Sequence, residues 1–158
     1  MPPVMATIIL LCVGMLAAVA NAQSVLPAVR QLGASTAVTT DTLASIAAVR
    51  ELSNGNVLVH DQARARVLLF NSEMKLLRVV ADSTSATGHA YGAKPGGLVP
   101  FRGDSTLFVD PATFTMHVVD PNGKIARTMA APRASDLPSL AGGLVGNAGF
   151  DAQGRLVY

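Results

Sequence analysis

The chain has 158 residues, of which 50% are hydrophobic and 14% are charged. This composition is typical of one domain that buries a core, and it excludes extensive disorder. The net charge of +2, the scattered basic residues and an aromatic content of 4% argue against nucleic-acid binding, so no nucleic-acid partner is expected.

The first 22 residues carry the features of an export signal. Residues 4–19 form an apolar stretch, and the following Ala20-Asn21-Ala22 has the small-x-small pattern that signal peptidase reads. The sequence therefore predicts a signal peptide over residues 1–22 and an exported protein, periplasmic or secreted, that meets a membrane only through this signal before cleavage. The alternative is an uncleaved anchor, for which the stretch is short, because a spanning helix needs about 20 residues.

After a leading arm predicted over residues 23–43, the chain repeats itself at an offset of 49 residues. A fixed period of about 20 to 50 residues is the signature of solenoids and propellers. The matched pairs include Leu58 with Leu107, Asp61 with Asp110, Phe70 with Val119, Phe101 with Phe150, and Leu107 with Leu156.

Each copy contains four short runs of β-forming residues separated by turn signals, which is the pattern of a propeller blade. The predicted strands are 45–52, 56–61, 66–71 and 75–81 in the first copy, and 97–101, 105–110, 115–120 and 124–130 in the second. The expected fold class is all-β, with β-propeller blades that are four-stranded antiparallel sheets. About two and a fraction blades are present over residues 44–158: blade 1 at about 45–81, blade 2 at about 97–130 and the start of blade 3 at about 146–158.

The first copy resembles the NHL-type and TolB-like six-bladed β-propellers of exported bacterial proteins. The residues that carry this resemblance are Val57-Leu58-Val59-His60-Asp61 and the run from Arg66 to Asn71. In that family the second strand ends in Asp, and the third begins with Arg and ends near Asp or Asn. The second copy departs from the pattern, because Thr115 stands in the place of Arg66.

The resemblance implies a ring of about six blades, so the chain is interpreted as an N-terminal fragment of a longer protein. The alternative is a small protein that completes its ring by self-association.

Two groups of residues are candidates for special roles. Asp61 and Asp110 share one repeat position, which predicts a structural role in which each carboxylate accepts hydrogen bonds from backbone N–H groups of the following turn. Polar groups that do not repeat are the candidate ligand-binding residues, because they are expected near the mouth of the propeller channel. They are Arg50, His89, Tyr91 and Lys94. The alternative for the second group is a solvated connection.

The three histidines His60, His89 and His117 do not share a repeat position, so neither a metal site nor another cofactor is predicted. No motif for a catalytic nucleophile or a phosphate loop is present in the sequence. The expected function is an exported binding module for a small ligand, glycan, peptide or protein partner, without evident catalysis. Two alternatives stay open: a metal-dependent propeller hydrolase or lyase with most catalytic residues beyond the chain end, and a cell-envelope scaffold.

Overall fold

The computed structural model describes residues 29, 31–92, 94–142 and 148–158. The predicted signal peptide over residues 1–22 lies outside the described residues. In this part of the chain no helix is long and apolar enough to cross a membrane. The chain divides into two units, Met1–Ala34 and Ser35–Tyr158, and all the strands described below belong to the second.

The first blade is an antiparallel sheet of four strands that lie side by side in chain order. Its strands are β1 (Ile46–Glu51), β2 (Val57–Asp61), β3 (Arg66–Phe70) and β4 (Leu76–Ala81). Nearly every residue of β2 and β3 is buried, because both strands lie inside the sheet and both faces of the sheet are covered there. Each strand begins and ends within one residue of its predicted bounds.

The second blade repeats this arrangement. Its strands are β5 (Gly97–Pro100), β6 (Thr106–Asp110), β7 (Thr115–Val119) and β8 (Ile125–Ala130), again paired in chain order. A one-turn helix that the sequence does not predict, α1 (Leu137–Leu140), follows, and then a short hairpin of β9 (Gly149–Phe150) and β10 (Leu156–Val157). The predicted fold class, all-β with four-stranded antiparallel blades, is confirmed.

The third copy departs from the predicted offset by one residue. Backbone hydrogen bonds close the three successive hairpins at Leu52–Asn56, Phe101–Ser105 and Asp151–Arg155. An offset of 49 places the third closure at Phe150, so that prediction is wrong by one position. The cause is local. The Asp151 carboxylate accepts hydrogen bonds from the N–H groups of Gln153 and Arg155, and these bonds stabilise a turn that begins at Asp151 rather than at Phe150.

Two hydrophobic clusters lie on the two faces of blade 2, and a third, of Val59, Leu68 and Phe70, lies in blade 1. One face of blade 2 packs against blade 1 and the loop that joins the blades, and the other is covered by α1 and the β9–β10 hairpin. The cluster between the blades contains Leu58, Val67, Leu69, Val80, Ala90, Tyr91, Phe108 and Val119. The second cluster contains Val99, Leu107, Val109, Met116, Leu137 and Leu140. Burial of each such leucine or valine contributes about 1.5–3 kcal/mol, so stacking of the blades is a main source of stability.

Gly123, in the turn between β7 and β8, fits a site where the two blades approach each other. Its φ is +73°, and a Cβ atom there would lie 3.0 Å from Cδ2 of Leu69 in blade 1. We expect Gly123→Ala to lower the free energy of unfolding by about 2 kcal/mol, of which about 1 kcal/mol comes from the left-handed backbone. Urea denaturation followed by circular dichroism measures this loss.

The matched control for this prediction is Gly103→Ala. Gly103 has a similar φ of +61°, but a Cβ atom there meets nothing within 4 Å. The control is expected to lose only the conformational part, about 1 kcal/mol. Equal losses in the two variants would show that the approach of Leu69 to Gly123 contributes nothing.

Candidate functional site

The loop between the blades folds around the carboxylate of Asp82. One oxygen of this carboxylate accepts hydrogen bonds from the N–H of Thr84 at 2.9 Å, the hydroxyl of Thr84 at 2.7 Å and the hydroxyl of Thr87 at 2.5 Å. Burial acts to raise the pKa of Asp82, but these hydrogen bonds together outweigh it and hold the pKa below its ordinary value. The loop therefore has a defined path, and it ends with Tyr91 buried between the two blades.

His60 and Tyr91 form a buried hydrogen-bonded pair between the blades. His60 lies on β2 and is fully buried, and its Nε2 is 2.7 Å from the hydroxyl oxygen of Tyr91. The Tyr91 ring stacks on Phe108 of blade 2 with a centroid distance of 4.9 Å. The same hydroxyl oxygen accepts a hydrogen bond from the N–H of Gly96 at 3.3 Å. The pair thus joins β2, the connecting loop and the beginning of β5.

These contacts indicate which atoms of His60 and Tyr91 carry protons. The Gly96 N–H can only donate, so the acceptor that the structure offers to the Tyr91 hydroxyl proton is Nε2 of His60. Burial raises the pKa of Tyr91, which keeps this proton on the phenol. Burial also lowers the pKa of His60 more than the nearby Asp61 raises it, which favours the neutral ring. A neutral ring that accepts at Nε2 carries its proton on Nδ1.

The Nδ1 atom of His60 has no hydrogen-bond partner among the described residues, although it is buried. An unsatisfied buried donor costs about 1–3 kcal/mol, so such groups are rare in stable proteins. A donor that is retained at this cost is a candidate for binding something other than the protein.

His60 contributes to the wall of a cavity of about 670 Å³ that lies beside the first strands of both blades, β1 and β5. Of the described side chains that line it, three are polar: His60, Gln62 and Lys94. The others are small or apolar, and they are Ala47, Ala48, Pro95, Gly96, Gly97, Leu98, Val99, Pro111, Pro138, Leu140, Ala141, Gly142 and Ala148. An apolar cavity with a few polar groups is the usual form of a small-molecule site.

The internal repeat shows that the fold does not require a histidine at the position of His60. At the offset of 49 residues, Val109 of β6 stands in the place of His60 of β2. Val109 is buried in the apolar cluster that the residues of α1 cover. The next blade thus has a hydrocarbon side chain at this position. His60 is not among the ligand-binding residues predicted from the sequence, although comparison of the two copies contains this signal.

Arg50, a predicted ligand-binding residue, joins the two blades and is not among the residues that line the cavity. Its guanidinium donates hydrogen bonds to the carbonyl of Ser105 at 2.6 Å and to the hydroxyl of Thr106, and it pairs with the Asp104 carboxylate at 3.2 Å. The other Asp104 oxygen accepts from the N–H and the hydroxyl of Ser53, both at 2.7 Å. These contacts give Arg50 a structural role between the blades.

The other three predicted ligand-binding residues lie in different surroundings in the structure. Lys94 is exposed and lines the cavity, while Tyr91 is buried and supports His60. His89 lies on the exposed part of the loop with φ of +55°, and its Nδ1 donates to the Ser83 carbonyl at 2.6 Å. Of the predicted residues, Lys94 lines the cavity itself. Tyr91 does not line it, but it is hydrogen-bonded to His60, which does.

The two repeated aspartates are both fully buried, and each connects a blade to the segment before its first strand. Asp61 accepts hydrogen bonds from the N–H groups of Ala44 and Ser45, and Asp110 accepts from that of Gly92 at 2.9 Å. Asp110 also accepts from the N–H of Ala112 in the following turn at 3.0 Å. The backbone partners of Asp61 lie before β1 rather than in the following turn.

A smaller cavity of about 380 Å³ is lined by His89 and His117, but the polar groups of His117 are already satisfied. Its two ring nitrogens lie 3.2 Å from the hydroxyl of Thr115 and 2.9 Å from that of Thr128. Across the described residues, no group of three or more His, Cys, Asp or Glu side chains is placed to hold a metal ion.

Because two histidines are buried, we expect the free energy of unfolding to fall between pH 7 and pH 5. Burial lowers the pKa of both His60 and His117 in the folded state. Their contribution is therefore complete above the unfolded value of about 6.5 and declines as the pH falls below it towards the folded pKa. Asp61 and Asp82 have lowered pKa values, so their contribution is lost only at more acidic pH.

Urea denaturation at pH 7 and at pH 5 measures this effect. The double variant His60→Val with Tyr91→Phe removes one of the two titrating rings, so its stability is expected to fall less over the same interval. A wild-type stability that is constant or rises on acidification to pH 5 would contradict the prediction.

Comparison with known proteins bears on the fold. No family model matches the chain, and no curated protein matches it. Among solved structures, the chain is similar to a catalytically inactive His→Ala variant of virginiamycin B lyase from Staphylococcus aureus, determined with quinupristin, with a TM-score of 0.51 and 13% identity. The match covers 74% of this chain and 35% of that chain, so this chain spans about a third of its neighbour's length. Together with the two four-stranded antiparallel sheets, this likeness shows that the chain has a β-propeller fold.

Proposed function

We propose that the chain is the ligand-binding part of an exported β-propeller of about six blades, and that the cavity beside β1 and β5 takes a small molecule. The observation that carries this proposal is that His60, which lines the cavity, keeps a buried and unpartnered Nδ1 in a place where its repeat equivalent, Val109, is apolar. A cost in stability that the fold does not require is typical of a functional position.

The size and lining of the cavity support a small ligand over a protein or a glycan chain. Small-molecule sites have volumes of about 300–1,000 Å³ and apolar walls with a few placed polar groups. The cavity of about 670 Å³ meets both criteria. It is formed by strands and by the ends of connecting loops, which is where propellers can vary residues without disturbing the sheets.

A screen of small fragments against the purified full-length protein tests this function. We expect ligand-observed NMR to detect binders, and we expect Ala48→Phe to weaken them about tenfold or more because Ala48 lines the cavity. Ala126→Phe is the matched control, since Ala126 is an exposed residue of β8 away from the cavity. The proposal fails if no fragment binds, or if binding survives Ala48→Phe in a protein that is folded by circular dichroism.

Export is part of the same proposal and has its own test. Cleavage after Ala22 would leave Gln23 as the first residue of the mature protein. N-terminal sequencing of the protein recovered from outside the cytoplasm is expected to begin at that residue. A mature chain that still begins at Met1 would support an uncleaved anchor instead.

A second candidate function is a metal-dependent lyase or hydrolase, and one observation favours it: a solved structure with a similar fold is that of a lyase. Elemental analysis of the purified full-length protein separates the candidates. A tightly bound metal ion in stoichiometric amount would favour the enzyme. A metal-free protein that still binds fragments would favour the binding module.

A further inference from the structure

A chain of hydrogen-bonded side chains connects a buried carboxylate of blade 2 to an exposed hydroxyl. It begins at Asp110, which accepts the hydroxyl proton of Thr113 at 2.7 Å. The Thr113 oxygen is 2.7 Å from that of Thr115, which in turn is 3.2 Å from Nε2 of His117. The chain ends at Thr128, whose hydroxyl oxygen is 2.9 Å from Nδ1 of His117. All these residues except Asp110 line the smaller cavity of about 380 Å³.

The carboxylate at one end sets the direction of every hydrogen bond in the chain. A carboxylate can only accept, and a threonine hydroxyl has one proton. The Thr113 proton is used on Asp110 and the Thr115 proton on Thr113, so Nε2 of His117 donates to Thr115. Burial lowers the pKa of His117 more than the Asp110 carboxylate and the Ala90 carbonyl raise it, which favours the neutral ring. Nδ1 of this neutral ring is therefore an acceptor.

Thr128 thus has the surroundings of an activated nucleophile. Its hydroxyl donates to Nδ1 of a neutral imidazole, and a third group orients the opposite nitrogen of that ring. This order of hydroxyl, base and orienting group activates serine and threonine hydroxyls in covalent catalysis. The base is the inner member of the pair, since His117 is 8% exposed, whereas Thr128 is an exposed residue of the edge strand β8.

Comparison with blade 1 shows that this polar pair is not needed for folding. His117 and Thr128 lie opposite each other on β7 and β8. At the offset of 49 residues the same two positions in blade 1 are Leu68 and Val79, which also lie opposite each other. Blade 1 thus makes from two hydrocarbon side chains the contact that blade 2 makes from a base and a hydroxyl. Polar groups that the repeat does not require are candidates for function.

We propose that Thr128 is a covalent acceptor site for the acyl group of a small activated ester. The Thr128 oxygen attacks the carbonyl carbon of the ester, and its proton passes to Nδ1 of His117. The bond from that carbon to the leaving oxygen then breaks, the alcohol leaves with the proton from Nδ1, and Thr128 keeps the acyl group as an ester. Thr113 and Thr115 are positioning residues, because they hold Nε2 as a donor and leave Nδ1 free to accept. The site is separate from the cavity beside β1 and β5, since no described residue lines both.

Treatment of the full-length protein with p-nitrophenyl acetate tests this site, and peptide mass spectrometry locates the acetyl group. We expect acetylation of Thr128, and we expect His117→Leu to slow it about hundredfold, because a positioned general base contributes roughly that factor. Thr128→Val should remove the modified position. Both replacements are the residues that blade 1 carries at the equivalent positions, so both variants are expected to fold. The control is Ser72→Ala, which removes an exposed hydroxyl from the turn between β3 and β4 and should leave the rate unchanged.

A second pair of variants tests the positioning role of the threonine chain. Thr113→Val interrupts the chain beside Asp110 and should slow acetylation of Thr128 about tenfold, whereas Thr113→Ser keeps a hydroxyl and should restore most of the rate. Equal rates in Thr113→Val and the wild type would overturn the role of the chain. Acetylation of Thr128 at the wild-type rate in His117→Leu, folded by circular dichroism, would overturn the role of the base. A wild-type protein that is acetylated on its exposed lysines but not on Thr128 would overturn the site itself.

Discussion

Replacing Asp61 with alanine is expected to lower the free energy of unfolding by about 3 kcal/mol, the largest loss that we predict for a single side chain. The carboxylate is fully buried and accepts two hydrogen bonds from the Arg66 guanidinium, at 3.0 and 3.1 Å. It also accepts from the N–H groups of Ala44 and Ser45. Alanine would leave a cation and two backbone donors without their acceptor. The Arg66 side chain is 23% exposed, so water compensates for part of the loss.

Urea denaturation followed by circular dichroism measures this loss, and two further variants make the result specific. Asp110 is equally buried, but its partners are neutral, because Thr115 replaces the arginine. Asp110→Ala should therefore cost less, about 2 kcal/mol. Asp41→Ala removes a partly exposed carboxylate in the leading arm and should cost at most about 0.5 kcal/mol. A loss for Asp61→Ala no larger than that of Asp41→Ala would contradict this account.

Asp61 also stabilises the edge of the first blade. It connects the end of β2 to the residues before β1, and Arg66 extends this connection by donating to the Thr42 carbonyl at 2.6 Å. The first strand is at the edge of its sheet, where pairing on one side alone holds it. The ion pair therefore holds the end of the leading arm and the edge strand together.

The blades could be predicted from the sequence because their strands form between neighbours along the chain. Each hairpin depends on a short run of β-forming residues and on a turn of a few residues, and both are visible in a short window. The turn at Asp120-Pro121-Asn122-Gly123 is an example, since the Asp120 carboxylate accepts from two N–H groups within the turn itself. The one-turn helix α1 could not be predicted, because four residues are too few for a helical period.

The site depends on contacts between distant parts of the chain, and these were only partly predictable. Lys94 is predicted as a ligand-binding residue because it does not repeat, and it lines the cavity. His60 and Tyr91 are 31 residues apart, and their pairing follows from the path of the connecting loop. Tyr91 is predicted to bind a ligand in its own right, whereas its hydroxyl is directed to His60. The sequence reveals that a residue differs from its repeat equivalent, but the partner is defined by how the blades stack.

Arg50 illustrates the same limit, because its non-repeating charge predicts ligand binding. Its partner Asp104 is 54 residues away and lies in the hairpin between β5 and β6 of the next blade. Contact between them exists only when the two blades are stacked. A polar residue that does not repeat can thus serve the junction between two blades, and junctions differ along a ring as much as binding sites do.

Arg50→Met is accordingly expected to lower the free energy of unfolding by about 2 kcal/mol and to leave binding in the cavity unchanged. Methionine keeps the hydrocarbon part of the side chain, but it leaves the Ser105 carbonyl and the Thr106 hydroxyl without the guanidinium. The control is Arg64→Met, because Arg64 is exposed and its guanidinium donates to the Thr42 carbonyl, so the cost there should be at most about 0.5 kcal/mol. Urea denaturation and the fragment titration are run on the same preparations. An Arg50→Met protein that keeps its stability but loses fragment binding would contradict this account. Arg50 would then be a ligand-binding residue, and its contacts with the next blade would not explain why the chain has a charge at this position.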